Sequence, residues 1–145
     1  MFKRILYPTD FSDHSKKCID YLIFLKDCKI SEVILLHVAD IRIIANTDMM
    51  LEDGIDEEEI ITNCRKTALR KLKEIASQLE TAGLKAKIEF QTGVPFVQIN
   101  KAAEAFDASL IILGHRGHNL AEELLLGSTA EKVARKSKRP VLLIR

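Results

Sequence analysis

The chain has 145 residues, 47% hydrophobic and 30% charged, with 22 Lys and Arg against 21 Asp and Glu for a formal net charge of +1. That balance belongs to one globular domain, expected over residues 1–145, with enough apolar content for a hydrophobic core. It argues against an electrostatically driven nucleic-acid or membrane-surface partner, and no apolar run approaches the roughly 20 residues of a membrane span.

The start, MFKRILYPTDFSD, turns polar too soon for a signal peptide, so a cytoplasmic protein is expected. Phe2-Lys-Arg-Ile-Leu-Tyr7 reads as a first strand ending at Pro8-Thr9-Asp10. A helix follows from about Ser12, with Ser12 or Asp13 as its N-cap and Cys18, Ile19, Leu22 and Leu25 on one face. Val33-Ile-Leu-Leu-His-Val38 is a second strand, apolar nearly throughout. Residues 39–56 are long for a strand-to-helix connection, and their apolar cluster Ile41, Ile43, Ile44, Met49, Met50 and Leu51 suits a flap over a ligand, a partner surface or a poorly ordered loop.

Residues 57–82 carry the clearest helical stripe, Ile61, Ala68, Leu72, Ile75 and Leu79, with Gly83 placed to end it. Lys85-Ala-Lys-Ile-Glu-Phe90 alternates like a half-exposed edge strand. Pro95 then opens a helix, Leu110–Leu113 forms a strand, residues 128–138 a helix and Val141–Ile144 a last strand. Strands apolar on both faces and separated by helices imply a parallel sheet covered on both sides, a doubly wound α/β sandwich. Ligands of such folds sit beyond the carboxyl ends of the strands. The three cysteines, Cys18, Cys28 and Cys64, include no C-x-x-C pair and are expected to be buried, reduced thiols.

Three of the six glycines fall in GHRGHNLAEELLLGST, residues 114–129, directly after the Leu110–Leu113 strand. A glycine turn that opens a helix presents unpaired N–H groups and a positive dipole end, the elements of a phosphate site. Gly127, Ser128, Thr129 and Arg116 supply suitable donors, and Asp10 across the cleft suits ribose hydroxyls. Against this, Ser128-Thr-Ala-Glu131 matches a capping box, in which Ser128 only serves the Glu131 amide. Neither G-x-x-x-x-G-K-[ST] nor G-x-G-x-x-G occurs.

Gly114, Gly117, Gly127 and Ser128 fit the pattern G-x2-G-x9-G-[ST] without a gap, and with ILYPTDFSDHS, LLHV and SKRPVLLIR the whole chain resembles the nucleotide-binding branch of the universal stress protein family. The resemblance implies a five-stranded, Rossmann-like sandwich of the adenine nucleotide alpha hydrolase-like type, with ATP as ligand. It also implies a homodimer. By position, Asp10 would contact ribose, Pro8 and Thr9 would line the adenosine cleft and the Val38 backbone would meet adenine. Gly114, Gly117, Gly127, Ser128 and Thr129 would hold the phosphates, with His115 and Arg116 at variable motif positions.

No catalytic base stands out. His37 reads as a hydrogen-bonded core residue, His14 as a surface residue and His118 as a solvent-facing one, and their spacing suits no metal. Any Mg²⁺ would ride on the phosphates. A nucleotide-dependent regulatory module is therefore favoured. A slow ATPase or autophosphorylating enzyme, and an assembly module pairing through Val141–Ile144, are the alternatives.

Overall fold

The computed structural model of the chain describes residues 2–48, 56–115 and 126–145. In order they form β1 (Arg4–Pro8), α1 (Asp13–Phe24) with a 3-10 turn at Leu25–Cys28, β2 (Glu32–Asp40) and α2 (Ile41–Asp48). Then come α3 (Glu57–Thr81), β3 (Ala86–Gly93), α4 (Pro95–Ala105), β4 (Leu110–Gly114), α5 (Ser128–Lys136) and β5 (Val141–Ile144). The strands make one parallel sheet in the order β3-β2-β1-β4-β5. This is the doubly wound, Rossmann-like sandwich expected.

The sheet has a core on each face, which is why its inner strands need apolar residues at consecutive positions. On one side Ile5, Tyr7, Val33 and Leu35 pack with Cys18 and Leu22 of α1 and Leu72 and Leu79 of α3. On the other, Leu6, Ile34 and Leu36 pack with Ile99 and Ala102 of α4 and Ala130 and Val133 of α5. The two edge strands are less buried: β3 is half-buried along most of its length, with Lys87 and Thr92 exposed, as suits an edge strand.

Local chemistry sets the helix ends. The Ser12 hydroxyl caps α1 by accepting the Ser15 N–H at 3.2 Å. At the end of α3, Gly83 takes a φ of +95°, and the Gly83 and Leu84 amides donate to Glu80 and Leu79. This is the left-handed closure for which glycine is suited.

Three expectations need correction. Residues 39–56 are not one loop, because β2 runs on to Asp40 and α2 follows at once. The Asp40 carboxylate starts that helix by accepting the Arg42 amide at 3.0 Å, and it holds the Arg42 guanidinium at 2.9 and 2.7 Å. Residues 49–55 lie outside the described residues. Cys18 is buried, and that burial pushes its thiol up to about 12, but Cys64 is half-buried and Cys28 is exposed on the 3-10 turn. Helix α5 ends at Lys136 rather than Lys138, where Ser137 leaves helical geometry and its hydroxyl accepts the Arg139 amide at 2.9 Å.

Candidate functional site

Strand β1 stops at Pro8, opposite Leu36, while its neighbour β2 continues to Asp40 paired with β3 alone. On its other side β4 reaches Gly114. The shorter middle strand leaves a notch at the switch point of the sheet, and a cleft of about 530 Å³ opens there. That volume is in the usual range for a small-molecule site. Pro8, Thr9, Asp10, Val38, Gly114, Gly127, Ser128 and Thr129 all line it.

The β1 end of the cleft is a rigid turn. Every polar atom of Thr9 is engaged: its N–H donates to Leu36 O at 2.9 Å, and its carbonyl accepts from His37 Nδ1 at 2.8 Å. Its Oγ1 accepts from Phe11 N–H at 3.0 Å and from the Ser15 hydroxyl at 2.7 Å. Asp10 Oδ1 accepts the Ser12 N–H at 3.0 Å. Phe11 is held at a φ of 65°, which costs a bulky L-residue roughly 1–2 kcal/mol. Its ring is repaid by stacking on His37 with centroids 4.6 Å apart. Burial lowers the His37 pKa below its ordinary value, opposed by the Thr9 contact and by Asp10.

The opposite end is the start of α5. Gly127 is its N-cap, and no side chain caps the helix. The Ser128 hydroxyl is therefore not in a capping box: Glu131 N–H bonds the Gly127 carbonyl instead, at 2.9 Å, and the Glu131 carboxylate pairs with Arg135. Among the described residues the Ser128, Thr129 and Ala130 amides have no hydrogen-bond partner. Three donors and a dipole end thus border the cleft.

The glycines do different jobs. Gly127 N–H donates to His115 O at 2.9 Å, and His115 N–H to Ile144 O at 2.6 Å, so backbone pairing ties the start of α5 to the end of β4. The Gly127 amide is spent on that tie. His115 does not line the cleft. Gly114 does, but a Cβ on it would stand 3.1 Å from the His14 carbonyl group and the Ser15 nitrogen. Its missing side chain makes room for α1. Arg116, Gly117 and His118 lie outside the described residues.

Ile43 and Ile44, from the apolar cluster expected as a flap over a ligand, do line the cleft, whereas Ser15, His37, Cys64 and Pro95 are cleft residues that the sequence does not single out. Ser15 and Pro95 carried a usable signal, since both fall in the first turns of helices that start at the carboxyl end of the sheet. His37 was placed in the core, and it is both hydrogen-bonded and half-buried at the cleft wall. No group of three metal-ligating side chains converges among the described residues, and no described helix is long and apolar enough to cross a membrane.

A family model for universal stress proteins matches residues 1–145. The chain belongs to the universal stress protein family. It is similar to universal stress protein MJ0577 of Methanocaldococcus jannaschii, at 36% identity over 155 residues covering 100% of this chain and 96% of that one. The solved structure of MJ0577 superposes with a TM-score of 0.87 at 38% identity, covering 99% and 96% of the two chains. YxiE of Bacillus subtilis is 29% identical over 148 residues, covering 100% of both. A universal stress protein from Archaeoglobus fulgidus, solved in complex with dAMP, shares the fold at 19% identity and a TM-score of 0.68, over 100% and 98% of the chains. For this universal stress protein, the cleft at the switch point is where the shared fold would receive a ligand.

Proposed function

We propose that the chain binds ATP in this cleft and acts as a nucleotide-dependent regulatory module, as a homodimer. The observation that carries the reading is the uncapped start of α5, whose three unpartnered amides and two hydroxyls face the cleft across from Asp10. Such an arrangement suits phosphates at one end and a ribose at the other. That the Archaeoglobus fulgidus protein of the same fold was solved in complex with dAMP supports an adenine nucleotide as the class of ligand. Mg²⁺, where present, would be carried by the phosphates.

A binding role is favoured over turnover by the acidic groups. Asp10 is tied to the Ser12 amide, and the guanidinium of Arg42 holds the Asp40 carboxyl below its ordinary range. Both carboxylates are thus engaged with groups of the protein, which disfavours either as a base for water attack.

Calorimetric titration with ATP and AMP, beside mass spectrometry of ligand released from purified protein, tests this. Ser128→Ala with Thr129→Val should weaken ATP by about tenfold if one hydroxyl bonds a phosphate and by about a hundredfold if both do, and leave AMP less affected. Equal loss for both nucleotides would move the phosphates elsewhere. Absence of any binding would leave assembly as the working account.

The dimer reading rests on β5. It is an edge strand without a charged residue, whereas the other edge, β3, carries Lys87 and Glu89. Leu142 is 37% exposed on it. Beside it, on the flank of α1 whose Lys17 reaches the Arg145 carbonyl, Tyr21 and Phe24 are 49% and 81% exposed. Leu142→Glu should give a monomer by light scattering with its thermal midpoint nearly unchanged; a persistent dimer would place the contact elsewhere.

A further inference from the structure

Two peptide planes meet at each residue, and fixing both of them fixes that residue's φ and ψ. At Asp10 both planes are held. On its N-terminal side the Thr9 carbonyl accepts from His37 Nδ1 at 2.8 Å. A carbonyl can only accept, so this nitrogen carries the proton. On its C-terminal side the Phe11 N–H donates to Thr9 Oγ1 at 3.0 Å. The carboxylate then accepts the Ser12 N–H at 3.0 Å, which orients the side chain on that backbone.

His37 acts on both planes. Strand β1 has ended at Pro8, so Thr9 lies past the last β1–β2 pair, and a side chain holds its carbonyl. His37 follows Val33 and Leu35 on the face of β2 that α1 and α3 cover. Its ring stacks on Phe11 with centroids 4.6 Å apart, which steadies a residue held at a φ of 65°.

The imidazole is itself held in place. Phe90 tilts towards it at 6.1 Å. Each of the two phenyl rings is backed by a cation from α3, Lys71 at 5.1 Å from Phe11 and Arg65 at 5.9 Å from Phe90. Thr9, Asp10 and His37 all line the cleft. Without the donor on His37, the peptide plane between Thr9 and Asp10 could rotate, and the carboxylate would turn with it. Hydrogen bonds weaken steeply with such misalignment.

Resting on the nucleotide reading of the cleft, we infer that His37 is a positioning residue: by holding the Thr9 carbonyl and the Phe11 ring it fixes the backbone on both sides of Asp10, and so directs that carboxylate to the ribose hydroxyls.

The test compares ATP with its dideoxy analogue, which lacks both ribose hydroxyls, by calorimetry. Exchange of the Ser12 amide is followed by NMR in ligand-free protein. His37→Phe keeps a ring to stack on Phe11 but removes the donor, and His37→Asn returns a donor near the Nδ1 position. Wild type should prefer ATP over the analogue by about tenfold or more, the worth of a hydrogen bond to a charged group. In His37→Phe that ratio should fall close to one, because ATP weakens while the analogue barely changes. The Ser12 amide should exchange faster there. His37→Asn should keep most of the preference and most of the Ser12 protection.

General damage to the cleft would weaken both ligands alike and leave their ratio intact, so an unchanged ratio in folded His37→Phe would overturn the inference. So would a ratio near one in wild type, or in His37→Asn, which decides alone if His37→Phe does not fold. If wild type bound neither nucleotide, the nucleotide reading would fall, and the Ser12 exchange comparison would still decide whether His37 sets the Asp10 carboxylate.

Discussion

Gly114→Val should be the most damaging single change at the cleft, with a thermal midpoint far below wild type and weakened nucleotide binding as a result of misfolding. The Gly114 Cα faces the first turn of α1, and even one added carbon would stand 3.1 Å from three backbone atoms there. Backbone cannot swing aside as a side chain end can. Gly114→Ala should cost about 1–3 kcal/mol by overpacking, and Gly114→Val about 3 kcal/mol or more. At roughly 2–4 °C per kcal/mol for a chain of this size, the alanine variant should melt several degrees early. Urea and thermal unfolding followed by circular dichroism would measure both. Wild-type stability in Gly114→Ala, with ATP binding lost, would show that the glycine serves the ligand and not the helix.

Thr9→Val should come next, because it removes an acceptor while keeping the shape. Two donors lose their partner, the Phe11 N–H and the buried Ser15 hydroxyl. The loss should be about 2–4 kcal/mol, at the lower end if Ser15 turns towards the Tyr7 hydroxyl, 3.3 Å away. Without the Thr9 oxygen, Phe11 also loses one of the contacts that hold its left-handed backbone. Binding of every adenine ligand should therefore fall with stability. Thr9→Ser keeps the oxygen and should sit close to wild type in both. A Thr9→Val protein with an unchanged midpoint would mean the turn is held by the His37 and Phe11 ring contacts alone.

The motif residues behave differently once their surroundings are known. Gly114 and Gly127 are both part of the glycine pattern, yet one accommodates a helix and the other spends its amide on the His115 carbonyl at the end of β4. Spacing could not separate these uses, because each depends on which backbone stands opposite. Ser128 is the converse case. Its sequence matches a cap, but the N-cap position falls one residue earlier, on Gly127, and this leaves the Ser128 hydroxyl to the cleft. The start of α2 was hidden for a simpler reason. Its signal is one short helix whose initiating contact, Asp40 to Arg42, lies within the stretch that the sequence leaves open between a flap and a loop.

What the sequence determined alone is whatever rests on local periodicity: the strands and their alternation with helices, the start of α1 and the end of α3, and the parallel sandwich that follows from strands apolar on both faces. The glycine motif and the Pro8-Thr9-Asp10 turn were legible because each is a contiguous run with its own backbone demands. Only the tertiary structure decided how far each strand outlasts its neighbour, and that Thr9 O would meet His37. Those choices depend on contacts between residues 28 positions or more apart in the chain, such as Thr9 with His37 and Gly114 with His14, and no local pattern records them.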